Sequence, residues 1–187
     1  MNESPRTPDP GPEEPPHRLS DVEAVIESAR VRDGRELLER FLRKRLPDAE
    51  EEEIQETADV AEEIIDSIPV FLARAFQQAR QKGMVSVAGP VLFRAQEYFL
   101  QPMDLIPEMT QGLAGLLDDA YLVLRTLSNL DRGPEPFLDW DLEHPLRFLR
   151  ALMGDRTSDA LDALAVQAMQ DVSAHLSEVW ARMSHPA

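Results

Sequence analysis

Residues 98–130 read YFLQPMDLIPEMTQGLAGLLDDAYLVLRTLSNL and form the most apolar part of the chain. The acidic residues in this stretch lie beside prolines and glycines, which turn a backbone rather than continue a helix. We therefore expect a helical hairpin whose connection carries carboxylates. A buried charge must be paired, capped or neutralised, so these carboxylates need an explanation. They are Asp104, Glu108, Asp118 and Asp119.

Two explanations of the hairpin carboxylates lead to different kinds of protein. As caps, Asp104 would start the short turn before Pro107, and Asp118 or Asp119 would start the second helix, satisfying amide donors at helix ends. As ligands, the four acids would converge on Mg²⁺ or Ca²⁺, which both prefer oxygen. Acid–base catalysis by paired carboxylates is a third, weaker reading, because no second catalytic constellation is visible. The sequence favours the caps.

Outside the hairpin, apolar residues recur at helical spacing and no segment alternates as a β-strand does. The fold class predicted is all-α, a multi-helix bundle. Residues 1–18 are rich in proline and charge, which predicts a disordered tail, and residues 19–187 form a single helical domain. The first helix should begin at Ser20, which forms a capping box with Glu23.

Prolines, glycines and aromatic residues predict several boundaries in this domain. Pro69 should kink or restart a helix that ends at Gly83, and Pro90 suits the first turn of the next helix. In the loop after Leu130, Phe137 and Trp140 are the expected contacts with the core. A final helix, about 158–183, carries a regular apolar stripe that is either core or an oligomer seam.

Opposite charges are segregated into adjacent segments. Residues 35–45 hold the basic patch, while residues 48–66 hold ten acidic residues and neither Lys nor Arg. The two helices could pack antiparallel and neutralise each other, or the acidic face could bind a basic partner. Five basic residues cannot neutralise ten acidic ones, so some acidic surface should remain. The candidate partner-binding residues are Glu50, Glu51, Glu52, Glu53, Glu56, Asp59, Glu62 and Glu63.

Composition makes several classes of function unlikely. The 187 residues include no cysteine and carry a formal net charge of −16, which excludes disulfides and thiolate sites and argues against nucleic acid and anionic membrane surfaces. The first 18 residues do not have the pattern of a signal peptide, and no apolar run is long enough to span a bilayer. We expect a cytoplasmic protein.

The hairpin resembles the YkvA-like family, a bacterial helical domain of unknown function. The family pattern is an aromatic helix end, Ser-Pro-Ile-Asp-Leu-Ile-Pro-Asp, a Gly-containing turn and Leu-Asp-Asp before a second apolar helix. The resemblance covers about residues 85–130 and implies a fold but no activity. Gln101 and Glu108 depart from the pattern, and the turn is one residue longer. The matching positions are Tyr98, Leu100, Pro102, Asp104, Leu105, Ile106, Pro107, Gly115, Leu117, Asp118 and Asp119.

These observations predict a non-catalytic protein-binding regulator, inhibitor or adaptor that holds a basic partner protein on its acidic helix. No nucleophile elbow, P-loop or dinucleotide fingerprint is present, and the histidines are scattered, so we expect no cofactor. The alternative from another class is a carboxylate metal site that supports hydrolysis. A weaker alternative is peripheral membrane association through the apolar stretch 98–130.

Overall fold

Helices make up nearly all of the described chain. The computed structural model describes residues 16–33, 35–100, 112–131 and 137–184, with side chains described for 19–32, 35–100, 112–131 and 137–174. These ranges contain no β-strand, so the all-α class is confirmed. The elements are α1 (Pro16–Asp33), α2 (Glu36–Arg45), α3 (Glu51–Gln81), α4 (Val85–Leu100), a 3-10 turn (Leu113–Leu116), α5 (Leu117–Leu130), α6 (Glu143–Met153) and α7 (Asp155–Ser184).

Helix α5 lies at the centre of the bundle and packs against α3, α4, α6 and α7. Its side chains are apolar on nearly every face, so it must be covered on all sides, and Leu117, Ala120, Val123, Leu124 and Leu127 are fully buried. Together with α4 it forms the predicted hairpin. The connecting residues 101–111 lie outside the described part of the chain.

Helix α3 passes through Pro69 without a break. A proline in a helix interior removes one hydrogen bond and usually bends or ends the helix. Here Pro69 is buried between Ile68 and Leu72, both fully buried in the core. The predicted restart at Pro69 is therefore wrong, because burial of the flanking residues holds the two halves in one helix, while the alternative of a kink stays a prediction.

The α3–α4 connection is a Schellman turn at Gly83. Gly83 has φ +66°, the Met84 N–H donates to the Ala79 carbonyl at 2.7 Å, and the Gly83 N–H donates to the Arg80 carbonyl at 3.1 Å. This confirms the predicted stop at Gly83. The turn is so short that α4 starts at Val85, so Pro90 lies inside α4 and its predicted first-turn position is wrong.

The N-terminal boundary differs from the prediction. Helix α1 starts at Pro16, inside the predicted 1–18 tail. Proline suits the first position of a helix, because an N–H group at that position would have no acceptor within the helix. Ser20 and Glu23 therefore lie within α1, and the predicted capping box is not at its start. Residues 1–15 of the predicted tail lie outside the described residues.

The loop between α5 and α6 folds onto the core as predicted. The Asp131 Oδ1 accepts hydrogen bonds from the backbone N–H groups of Phe137, at 2.6 Å, and Leu138, at 2.9 Å. Phe137 is buried, and the Trp140 ring stacks on Phe71 with centroids 6.1 Å apart. Both aromatic contacts with the core are confirmed.

Helix α7 begins at Asp155, three residues before the predicted start. Of its apolar stripe, Leu161, Ala165 and Ala168 are buried against the bundle, and α7 packs on α4, α5 and α6. The described half of the stripe is therefore core. The side chains from residue 175 onward lie outside the described part.

Candidate functional site

The basic helix α2 packs antiparallel on the acidic half of α3 and neutralises part of it. Near the end of α2, the Nη2 atom of Arg43 lies 2.6 Å from Glu51 Oε1. At the start of α2, Arg35 pairs with Asp59 and lies 3.7 Å from Glu62. Hydrogen bonding to Asp59 raises the pKa of Arg35, and hydrogen bonding to Arg43 lowers the pKa of Glu51. Three of the eight predicted partner-binding residues are thus engaged within the chain.

Two more of the predicted residues cap α3. The Glu50 backbone N–H donates to Glu53 Oε2 at 2.9 Å, while the Glu50 side chain accepts from the Glu53 backbone N–H. This is a reciprocal capping box made by two glutamates, and their negative charge suits the positive end of the helix dipole. A charge reversal at either position would disturb the start of α3 as well as its surface.

The remaining three predicted residues are available to a partner. Glu52, Glu56 and Glu63 are exposed, and none of them forms an ion pair with the residues that the structure describes. They follow one another at four and seven residues along α3, so they lie on one face of the helix. This face carries the unneutralised part of the acidic helix.

Glu63 also lines a shallow, open groove of about 480 Å³, whose lining residues all belong to α3. In this groove, the Nη2 of Arg30 of α1 donates to both carboxylate oxygens of Asp66, at 2.6 and 2.8 Å. Val70 is half exposed and Phe71 is half-buried, so the acidic end of the groove continues into an apolar end. The lining residues are Asp59, Glu62, Glu63, Asp66, Ser67, Val70, Phe71 and Arg74.

Aromatic contacts stiffen the apolar end of this groove. Phe71 stacks on Trp140 from the α5–α6 loop, and the Arg74 guanidinium lies over the same Trp140 ring, 6.0 Å from its centroid. The sequence pointed to Trp140 as a contact with the core but not to its place behind the groove. The reason is that its partner Phe71 lies on a helix far away in the chain.

The hairpin carboxylates are only partly described. Asp104 and Glu108 lie outside the described residues. Asp118 and Asp119 are buried in the first turn of α5, where their charge suits the helix dipole. The N-cap residue of α5 is Leu116, without a side-chain cap bond, so the two aspartates lie two and three residues after the position that a capping residue takes. Asp118 Oδ1 instead accepts from the Asp119 backbone N–H at 3.1 Å.

The metal hypothesis depends on residues beyond those described. Across residues 19–32, 35–100, 112–131 and 137–174, no group of three or more His, Cys, Asp or Glu side chains could hold a metal ion. Asp118 and Asp119 supply two carboxylates. The rest of the predicted ligand set, Asp104 and Glu108, would have to come from the undescribed connection.

The structure also brings together a polar cluster that the sequence did not predict. The Tyr121 hydroxyl of α5 donates to Asp162 Oδ1 of α7 at 2.9 Å. Arg125 Nε lies 2.9 Å from the same oxygen, and Arg150 Nη1 of α6 donates to Asp162 Oδ2 at 3.3 Å. Arg150 also pairs with Asp155 and Asp159. The cluster lies at the edge of a cleft of about 390 Å³.

This cluster joins three helices. Both oxygens of Asp162 accept hydrogen bonds or pair with arginine, so the carboxylate is held on both sides. Burial, and next the hydrogen bond to Asp162, raise the pKa of Tyr121 above its ordinary value. The cleft is lined by three arginines and by four carboxylates, those of Asp131, Asp141, Glu143 and Asp162, so it has no excess of positive charge to attract an anion. We interpret the cluster as the junction of α5, α6 and α7.

None of the helices, as far as the chain is described, is long and apolar enough to cross a bilayer. The apolar stretch proposed to associate with a membrane is buried in its described part, since Leu113, Leu116, Leu117, Leu122 and Leu124 are at most 5% exposed. This part offers no apolar surface to a lipid layer. Residues 101–111 of the stretch lie outside the described part, so the weaker alternative stays a prediction.

Comparison with known proteins finds a match within the hairpin, at residues 96–124. No curated protein and no solved structure matches the chain significantly. Helices α2 and α3, with the acidic face and the groove, lie outside the segment that matches a family model. That segment is residues 96–124, from Gln96 of α4 to Leu124 of α5, and it matches the model of a family described as a protein of unknown function, DUF1232.

Proposed function

We propose that this protein is a non-catalytic regulator, inhibitor or adaptor that holds a basic segment of a partner protein in the groove of α3. The observation that carries the proposal is the exposed Glu63 beside the half-exposed Val70 and the half-buried Phe71, in a groove that three further carboxylates line. A surface that is acidic at one end and apolar at the other complements a segment bearing both Lys or Arg and apolar residues.

Lysine and arginine suit such a groove because their side chains are amphipathic. The aliphatic part of a partner lysine or arginine can lie on Val70 and Phe71 while its charged end reaches Glu63. Arg30 and Arg35 already pair with Asp66, Asp59 and Glu62, so these three carboxylates have partners within the chain. Glu63, which forms no ion pair with the described residues, is the side chain available to a new cation.

The proposed partner surface lies further along α3 than the first of the predicted residues. Among the predicted residues, Glu50 and Glu53 cap the helix and Glu51 pairs with Arg43. The groove 59–74 lies further along, where α3 is covered on its inner side by α1 and α4. We propose that the hairpin is YkvA-like and serves as the rigid core that supports this surface, and that the protein is cytoplasmic.

A pair of charge variants tests the groove. Glu63→Lys reverses the charge in the groove, and Glu143→Lys makes the same reversal on the exposed surface of α6. Each variant and the wild type are immobilised and exposed to the proteins of the source cell at low salt, with elution by increasing salt. We expect at least one protein bound by the wild type and by Glu143→Lys but about tenfold less by Glu63→Lys.

The same experiment can contradict the proposal. If Glu63→Lys retains every protein that the wild type retains, in equal amount and with the same salt dependence, the groove is not the partner surface. If both charge variants lose binding equally, net charge rather than the groove governs it. A partner that resists salt would contradict the charge-based contact.

The carboxylate metal site is the second candidate, supported by the adjacent burial of Asp118 and Asp119 in the first turn of α5. It would use Asp104, Glu108, Asp118 and Asp119 to bind Mg²⁺, Mn²⁺ or Ca²⁺ for hydrolysis. A metal that binds only the folded state raises the melting temperature. A melt that does not change on addition of these ions would remove this candidate.

A further inference from the structure

The Trp140 side chain lies between the groove of α3 and the cleft beside Asp162. Trp140 lines the cleft, while its ring stacks on Phe71 with an angle of 20° between the ring planes. The Arg74 guanidinium lies over the same ring, and both Phe71 and Arg74 line the groove. Among the described residues the two cavities have no lining residue in common. The contacts of Trp140 therefore join the walls of two separate cavities.

The described part of the α5–α6 loop, residues 137–142, carries Trp140, and we call these residues the strap. The strap is held by Asp131, whose Oδ1 accepts hydrogen bonds from the backbone N–H groups of Phe137 and Leu138. Asp131 also lines the cleft. The carboxylate that holds the strap therefore belongs to the cleft, while the ring that the strap carries supports the groove. Whatever displaces Asp131 in the cleft removes two hydrogen bonds from the strap.

The position of the strap includes one unfavourable contribution. The Nε1 atom of Trp140 is buried and has no hydrogen-bond acceptor among the described residues. A buried N–H group without an acceptor destabilises the position that buries it, because its hydrogen bond to water is lost and not replaced. Side-chain contacts offset this loss, including the stack on Phe71 and the Lys82 Nζ atom 5.7 Å from the centroid of the Phe137 ring. A segment held by a few side-chain contacts can change position while the surrounding helices stay folded.

We propose that the strap couples the cleft to the groove. While Asp131 holds the strap, Trp140 supports Phe71 and Arg74, and the groove keeps its apolar end. When a change in the cleft releases the strap, the groove loses that end. The device regulates the partner site from a cavity that does not contain Glu63. Its effect on a partner rests on the proposed function, whereas its effect on the groove itself does not.

The direction of the coupling follows from the contacts of the Trp140 ring. Release of the strap exposes to water the face of Phe71 on which Trp140 stacks, and it leaves Arg74 without its cation–π contact. Both side chains then lose a contact that fixes them beside Val70. Because coupling between two sites is reciprocal, a change at Arg74 also reaches the cleft through Trp140.

A label in the groove tests the coupling without any partner. The chain has no cysteine, so V70C provides one site in the groove, and V166C one site on α7, for an environment-sensitive fluorophore. Asp131→Ala removes the carboxylate that holds the strap, while Glu143→Ala removes another carboxylate of the cleft. We expect Asp131→Ala to shift the emission of the label at position 70 to longer wavelength and to leave position 166 unchanged. Glu143→Ala should shift neither label.

The reverse direction keeps the test valid if Asp131→Ala folds poorly. S128C places the fluorophore in the cleft, and Arg74→Ala removes an exposed side chain of the groove that contacts Trp140. We expect Arg74→Ala to shift the emission of the label at position 128. Glu52→Ala, an exposed substitution elsewhere on α3, should leave that emission unchanged.

Three results would overturn the coupling. They are an unchanged label at position 70 in Asp131→Ala, equal shifts at positions 70 and 166 in a variant whose helices remain folded, and an unchanged label at position 128 in Arg74→Ala. None of these results affects the capture of a partner by the wild type. A failure of the coupling is therefore distinguishable from a failure of the proposed function.

Discussion

Carboxylates on α3 and the carboxylate of Asp162 meet arginine in different surroundings. On α3, Asp59 and Glu51 pair with arginines of α2 at the surface, and both carboxylates are more than half exposed. Asp162 is 24% exposed and accepts from a buried tyrosine as well as pairing with two arginines. The ion pairs on α3 lie on the surface, whereas the contacts of Asp162 join three helices.

The difference shows what each region can contribute. Exposed ion pairs each stabilise a protein by less than about 1 kcal/mol, because water and salt screen them and the side chains lose freedom. The carboxylates of α3 can therefore change partners at little cost, which suits a binding surface. A half-buried carboxylate with several charged donors cannot be exchanged so easily, which suits a structural junction.

The largest effect is expected at the junction. Asp162→Ala leaves the Tyr121 hydroxyl and the Arg125 guanidinium without their acceptor, and we expect a loss of about 2 kcal/mol in the free energy of unfolding. Asp159→Ala, which removes a more exposed partner of Arg150, should cost less than about 1 kcal/mol. Urea denaturation measures both. Equal losses would mean that the junction is no more than another surface pair.

The Tyr121 hydroxyl gives a smaller effect that depends on pH. Its pKa is raised above the ordinary value of 10.0, first by burial and then by Asp162. A folded-state pKa that is raised contributes stability present below pH 10 and lost as pH rises through the folded pKa.

Tyr121→Phe should cost about 1 kcal/mol near neutral pH and should weaken the loss of stability in alkali. Melting temperature against pH for both proteins measures this change. Identical alkaline profiles for the two proteins would contradict the assignment.

Surface pairing on α3 should be weaker and sensitive to salt. Arg35→Ala removes the contacts with Asp59, Glu62 and Glu39, and we expect a loss of about 0.5–1 kcal/mol that shrinks at high salt. Arg40→Ala removes an exposed arginine of the same helix as a control. A loss for Arg35→Ala as large as that for Asp162→Ala would remove the contrast between the two regions.

Glu51 gives the smallest effect. Hydrogen bonding to Arg43 lowers its pKa below the ordinary 4.5, so this pair contributes stability above pH 4.5 that is lost as pH falls through the lower folded pKa. With Glu51→Gln, the melting temperature should fall slightly less between neutral and acidic pH than it does in the wild type. Glu52→Gln removes a charge from the same turn without breaking an ion pair and should leave that loss unchanged.

The elements of this fold follow from local patterns in the sequence. Apolar residues at helical spacing predicted the helices, Gly83 predicted a helix end, and Phe137 and Trp140 predicted how the loop packs. The errors at Pro69 and Pro90 come from tertiary structure, because packing and a tight Schellman turn decided where those helices run. A proline alone does not show whether its neighbours are buried.

The sites were harder to predict because they combine distant parts of the chain. Tyr121 and Asp162 are 41 positions apart on different helices, and no spacing in the sequence joins them. The acidic segment 48–66 was visible, but which of its carboxylates remain available depended on Arg30 and Arg35 reaching across from α1 and the start of α2. Long-range packing decides that selection, so the sequence alone could not.

Photo-crosslinking from the groove tests the central proposal most directly. A photoreactive residue at Val70, in the groove, is compared with the same residue at Val166, exposed on α7. We predict that illumination in the source cell links one partner to position 70 and not to position 166, and that Glu63→Lys abolishes the link. The same products at both positions, or a link that survives Glu63→Lys, would contradict partner binding in the groove of α3.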